Sequence, residues 1–149
     1  MPEHRWNWTT RTSLASRAGA HVACMQEILE QLARQGWEGR ELFGVEMALE
    51  ESLTNAIRHG NRFDESKQVR VECKVSSERF WLRVRDEGAG FCPQEVPDCT
   101  AEENLNCPGG RGLALIKAFM TRVEYNDCGN CVTMEKTRTD ISASDGNST

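Results

Sequence analysis

Apolar positions along this chain recur at two periods, and the switches between them mark out its elements. Near the start, Trp6-Asn-Trp8-Thr9 alternates apolar with polar and predicts a short strand. From about Leu14 to Gln35, the residues Ala18, Val22, Met25, Leu29 and Leu32 recur at helical spacing, and Gly36 stops the run. A second helix is predicted from about Glu41 to His59, ended by Gly60 and carrying Leu42, Val45, Leu49, Leu53 and Ala56 as its apolar stripe. Period two returns in Gln68–Val75 and Arg79–Arg85, joined by a Ser-Ser-Glu turn. Residues 87–110 hold Pro93, Pro97, Pro108 and several glycines, and read as one long irregular loop. Loops above about 12–15 residues in a compact domain are functional or disordered. A helix over Gly112–Met120 is predicted next, then strands near Arg122–Asn126 and Cys131–Thr137. Helices with mostly hairpin-linked strands predict an α+β sandwich, with helices on one face of a mixed sheet. One domain is expected over residues 1–138, with 139–149 as a disordered polar tail.

Composition narrows the function classes. The chain has 149 residues, 38% hydrophobic and 28% charged, with a formal charge of −5. That balance argues against nucleic acid as a partner. No apolar run approaches the roughly 20 residues needed to cross a bilayer, so no membrane association is expected. Met1-Pro-Glu-His-Arg5 is followed by no apolar stretch, so a cytoplasmic location is expected. The cysteines number seven, an odd count. Cys73 alternates with Val69, Val71 and Val75 as an inward strand position. Cys128-Gly-Asn-Cys131 has metal-site spacing, but Gly-Asn between two strand-like runs is also a hairpin turn, and no second pair of that spacing exists. The thiols are read as reduced and structural. His21 is read as a partly exposed helix histidine.

Three short blocks carry the candidate chemistry. Glu51 and Asn55 are four apart, hence one turn apart on a helix face opposite the apolar stripe, with Arg58 nearby. A carboxylate can orient or deprotonate an attacking hydroxyl, and an amide oxygen is a hard ligand suited to Mg²⁺. Such a pair is equally at home on a solvated polar face. Asp86 shares its parity with Phe80, Leu82 and Val84, so period-two geometry points its carboxylate inward, where it needs a donor. An adenine amine is one such donor; a turn cap before Gly88 is the alternative. Gly88 and Gly90 let the backbone approach a flat ligand. Gly109-Gly-Arg-Gly112 opens an apolar helix, whose free N–H groups make an anion site, or simply a flexible loop meeting a helix. It is no Walker A loop, because no Gly-Lys-Ser/Thr follows.

Together, Glu51-x-x-x-Asn55-Ala56, Asp86-x-Gly88-x-Gly90 and Gly109-Gly-x-Gly112-Leu113 resemble the N, G1 and G2 boxes of the gyrase, heat-shock chaperone, histidine-kinase and mismatch-repair ATPases. Asn55-Ala-Ile-Arg-His-Gly60, Gly90-Phe-Cys-Pro93, Gly110-Arg-Gly-Leu-Ala-Leu-Ile116 and Phe119-Met-Thr-Arg-Val-Glu-Tyr125 are similar to the small anti-sigma factor serine kinases of bacterial sporulation and stress switches. The likeness spans about residues 10–138. It implies a Bergerat-type two-layer α/β sandwich that holds ATP beneath a mobile lid. It also implies that Asn55 holds Mg²⁺, Glu51 acts as base and Asp86 binds the adenine amine beside Gly88 and Gly90. The amides of Gly109, Gly110, Arg111 and Gly112 would hold the phosphates, with Arg58 as a further phosphate contact.

Two positions depart from the family pattern. Gly129-Asn-Cys-Val-Thr133 replaces the usual Gly-Thr pair entering the last strand, leaving Thr133 as the hydroxyl toward adenine; Cys92 stands where the family has aspartate. From Phe91 to Gly110 the acids Glu95, Asp98, Glu102 and Glu103 occur without a Lys or Arg, so Mg²⁺ and backbone amides would have to hold the triphosphate. The resemblance implies a protein-serine kinase that phosphorylates an anti-anti-sigma partner, sequesters a sigma factor and pairs as a homodimer. An ATP-gated binding module without catalysis and a detached histidine-kinase catalytic domain are the other readings.

Overall fold

The computed structural model describes residues 5–88, 110–126 and 129–138. One five-stranded sheet runs in the order β1-β2-β3-β5-β4. Its strands are β1 (Trp8–Ala15), β2 (Gln68–Val75), β3 (Arg79–Arg85), β4 (Arg122–Tyr125) and β5 (Cys131–Thr137). Helices α1 (Val22–Arg34), α2 (Gly39–Asn55) and α3 (Gly110–Phe119) form the second layer, with a π turn, Ala56–Gly60, continuing α2. The two-layer α+β class expected from the sequence is the class observed.

Every strand pairing is antiparallel, which corrects the expected mixed sheet. β3, α3 and β4 make a crossover whose two strands do run parallel. However, β5 folds back from β4 and pairs with β3, so it lies between them and no parallel contact forms.

The first strand and helix also differ from expectation. β1 extends to Ala15, and α1 begins only at Val22. Trp8, Thr10, Thr12 and Leu14 stand opposite the inward residues Val75, Cys73, Val71 and Val69 of β2, so β1 is one long alternating strand. The chain then turns through Gly19 at φ +84°, closed by Ala20 N–H to Arg17 O at 3.0 Å. Ala18 and Val22 matched a helical period by coincidence: Ala18 is exposed, and Val22 is 45% exposed. The working stripe of α1 is Met25, Ile28 and Leu32.

The core lies between the layers. Val45, Leu49 and Leu53 of α2 are fully buried, as are Val69, Val71, Cys73 and Val75 of β2 and Phe80 and Leu82 of β3. Each fully buried aliphatic or aromatic side chain contributes about 1.5–3 kcal/mol relative to exposure. Cys73 faces inward as its parity required, and burial pushes its thiol well up. The β4–β5 connection is the hairpin read from Gly-Asn: Asn126 Oδ1 accepts the N–H groups of Asn130 (3.0 Å) and Cys131 (3.1 Å), and Gly129 takes φ +73°. Cys128 lies outside the described residues, as do residues 89–109, where a lid is expected, and residues 139–149, where a polar tail is expected. Among the described residues, no helix is long and apolar enough to cross a membrane.

Candidate functional site

Asp86 follows β3 with the parity of buried Phe80, Leu82 and Val84, and its side chain is half-buried on the helix side of the sheet. Its N–H donates to Asn130 O at 2.9 Å, which ties it to the β4–β5 hairpin. Its Oδ1 accepts the Gly88 N–H at 2.8 Å. Burial pushes the Asp86 carboxyl up, partly offset by the Gly88 N–H and by Lys67. A carboxylate in that state gains from any further donor.

Across from Asp86 stands the end of α2. After Asn55 the helix widens, and Asn61 N–H reaches Ala56 O at 2.9 Å over five residues. Such π turns are rare and recur at functional sites. The widened turn carries Gly60 onto the Asp86 carboxylate. A Cβ at Gly60 would lie 2.8 Å from Asp86 Oδ1, and nearer still to Oδ2 and Cγ. A Cβ at Gly88 would lie 2.6 Å from the Gly60 carbonyl carbon and overlap its oxygen. Both positions require glycine because backbone and carboxylate already fill the space.

Asn61 fixes this junction. It is 1% exposed. Its Nδ2 donates to Ser16 Oγ at 2.9 Å and to Gln68 O at 3.1 Å, while its Oδ1 accepts the Glu87 N–H at 2.7 Å. Ser16, itself fully buried, donates to Lys67 O at 2.5 Å. One amide therefore joins the end of the π turn, the end of β1, the start of β2 and the loop after β3. Sequence reasoning missed Asn61 and Ser16, and it read Gly60 as a helix stop and the end of the Asn55–Gly60 family-like run, with no contact to Asp86. The Gly60-Asn61 dipeptide was the available signal, but its partners lie up to 45 residues away in sequence.

Glu51 and Asn55 both lie half-buried on α2, one turn apart. Neither side chain makes a hydrogen bond to another described residue. Arg58 and His59 follow on the π turn, exposed. Burial and Arg58 push the His59 imidazole down, and Glu51 pulls it back up. The glycine cluster enters α3 two residues before its expected start, so Gly110, Arg111 and Gly112 form the helix's first turn. Gly90 and Gly109 lie outside the described residues.

Thr133 is not brought to this place. It pairs with Arg83 in the β3–β5 register and accepts from Arg83 Nε at 3.4 Å, on the sheet face away from the helices. Between inward Val132 and Met134, its parity leaves it no other side. A shallow depression lined by Trp81, Arg122, Glu124, Thr133 and Glu135 lies on that same outer face, away from Asp86.

The geometry thus sets the π turn that continues α2 against the Asp86-x-Gly88 block, through Gly60. Hard oxygen donors at Glu51 and Asn55 suit Mg²⁺, and the underemployed Asp86 carboxylate suits an amine donor. Comparison with known proteins shows the family. The family model for the histidine kinase-like ATPase domain matches residues 14–136. The chain is 32% identical over 102 residues to an anti-sigma F factor of Clostridium perfringens, covering 64% of this chain and 72% of that protein. It is 29% identical over 111 residues to the serine-protein kinase RsbW of Listeria monocytogenes, covering 70% of this chain and 71% of that protein.

Proposed function

The chain belongs to the histidine kinase-like ATPase family, in the group of the anti-sigma factor serine kinases, and on that footing we propose that it is an ATP-dependent protein-serine kinase. Its substrate in this reading is a serine of a small anti-anti-sigma protein, and it also sequesters a sigma factor, acting as a cytoplasmic homodimer. The observation that carries the reading is the seat of the Asp86 carboxylate against Gly60 and Gly88. A polar wall with one committed oxygen, backed by backbone with no Cβ, is what a flat purine with an exocyclic amine requires.

The remaining roles follow from the residues on α2 and α3. Glu51 takes the proton of the serine hydroxyl as that oxygen attacks the terminal phosphorus in line; the bond to the bridging oxygen breaks and ADP leaves. Asn55 would hold Mg²⁺ through its amide oxygen, and the ion would supply charge neutralisation for the triphosphate. First-turn N–H groups of Gly110, Arg111 and Gly112 at the start of α3, with Gly109, offer donors and a positive helix end to the phosphates. Arg58, exposed on the π turn, adds a cation from the α2 side. Gly90 completes the approach beside the base.

Incubation with radiolabelled ATP and the cognate antagonist tests this. Label must transfer to the antagonist, and Glu51→Gln must stop the transfer while leaving ATP binding largely intact. ATP binding without any transfer would replace the kinase by a nucleotide-gated binding module. Failure to bind ATP would remove both.

A further inference from the structure

The helices cover one face of the sheet, and the other face carries charge opposite to that of the chain. The whole chain is −5. Yet register and parity set Arg70 and Lys74 of β2 and Arg79, Arg83 and Arg85 of β3 together on the open face.

The carboxylates sharing this face are already taken. Glu72 pairs with Arg11 at 3.2 Å and with Arg83 at 3.7 Å. Glu135 pairs with Arg79 at 3.6 Å, and Glu124 with Arg122 at 2.5 Å. The Glu87 carboxylate accepts the Gln68 N–H at 2.5 Å. Lys74 lies over the Trp81 ring at 4.8 Å from its centroid, with Arg83 at 5.1 Å.

Arg70 and Arg85 are left over. They are direct cross-strand partners, both exposed, and neither forms an ion pair among the described residues. Like charges placed opposite each other in a sheet repel, and the repulsion turns to attraction once an anion bridges them.

We propose that this open face docks an acidic segment of a partner protein, with neighbouring carboxylates bridging Arg70 and Arg85. Charge complementarity selects that occupant. Face-to-face pairing of two copies would oppose two positive patches. A nucleic-acid strand would lay continuous phosphate across Glu72, Glu124 and Glu135, and would find Trp81 already engaged by two cations rather than free to stack on a base. Carboxylates on a folded or extended protein can be spaced between those glutamates. Asp86 has the opposite parity to Arg85, so this surface lies across the sheet from the nucleotide site and stands or falls apart from it.

Fluorescence anisotropy of a labelled oligoglutamate peptide on the full chain provides the test. The peptide should bind the wild type, and Arg70→Glu and Arg85→Gln should each weaken it, by about tenfold or more for the charge reversal. Raising NaCl from about 50 to 200 mM should weaken it further, because exposed charges are screened within a Debye length. Arg34→Glu, on exposed α1, should leave the affinity unchanged. Arg70→Glu should melt at or above the wild-type temperature, since it converts a repulsive cross-strand pair to an attractive one. Absence of peptide binding, equal loss in Arg34→Glu, or unchanged affinity in Arg85→Gln would overturn the proposal. So would tighter binding of a single-stranded oligonucleotide that is lost in the same variants, which would make the face a nucleic-acid surface. A dimer by sedimentation that dissociates on Arg70→Glu would overturn it in favour of self-association.

Discussion

Gly60→Ala tests the junction between α2 and Asp86 with a sign that geometry alone decides. Gly60 is absent from the positive-φ residues, so its backbone accepts alanine without strain. In a helical turn, alanine is favoured over glycine by about 0.5–1 kcal/mol. If nothing stood opposite, the substitution would stabilise. The structure sets the Asp86 carboxylate there, with the new Cβ 2.8 Å from Oδ1 and closer to Oδ2 and Cγ. Relief means rotating Asp86 away and giving up the 2.8 Å bond from Gly88 N–H. Overpacking of this kind costs about 1–3 kcal/mol, so the expected net effect is a loss of about 1–2 kcal/mol. Asp86→Ala deletes the three atoms in the way, and in that background Gly60→Ala should become neutral or stabilise by up to about 1 kcal/mol. The cycle therefore predicts a coupling of about 1–3 kcal/mol, measured by urea unfolding of the four proteins followed by tryptophan fluorescence. Equal effects of Gly60→Ala in both backgrounds, or stabilisation of the wild type, would refute the packing. A fluorescent ATP analogue should also bind Gly60→Ala at least about tenfold more weakly, since about 1.4 kcal/mol at the displaced carboxylate is a factor of ten.

Further outcomes are expected from the same residues. Asn61→Ala removes three hydrogen bonds and leaves buried Ser16 without its donor, costing about 2–4 kcal/mol and lowering Tm by roughly 5–15 °C; a shift of a degree or two by calorimetry would mean that water replaces the amide. Gly88→Ala should harm nucleotide binding more than Gly60→Ala, because the obstacle there is the Gly60 backbone carbonyl, which cannot rotate aside. Burial raises the Asp86 carboxyl, so its ionised form weighs against the fold: that cost is absent below the ordinary carboxylate value and complete above the raised one. Asp86→Asn should therefore gain stability over wild type as pH rises through that window, and a difference that is flat with pH in urea melts would contradict the assignment. Excess EDTA should weaken ATP binding by calorimetry at least about tenfold, since the stretch from Phe91 to Gly110, with Glu95, Asp98, Glu102 and Glu103 and no Lys or Arg but Arg111 just beyond it, offers the triphosphate no counter-charge.

The sequence by itself determined the two-layer class, the helical stripe Val45, Leu49 and Leu53, and the inward parity of Asp86, because each is a local periodicity that burial enforces. It also carried the three boxes, since glycine and carboxylate positions at fixed spacing are legible without coordinates. Only the tertiary structure decided that β5 lies between β3 and β4, which makes every contact antiparallel; strand order is a long-range choice that no local period records. The same holds for the end of β1, where Leu14, the expected start of the first helix, instead pairs with Val69 in eight residues of pairing with β2. Thr133 was assigned by analogy of position, but its pleat turned it to the outer face. Ser16, the Gly60-Asn61 pair and Asp86-Glu87 come together from three distant segments, so the seating of Asp86 could be read only after the chain had closed on itself.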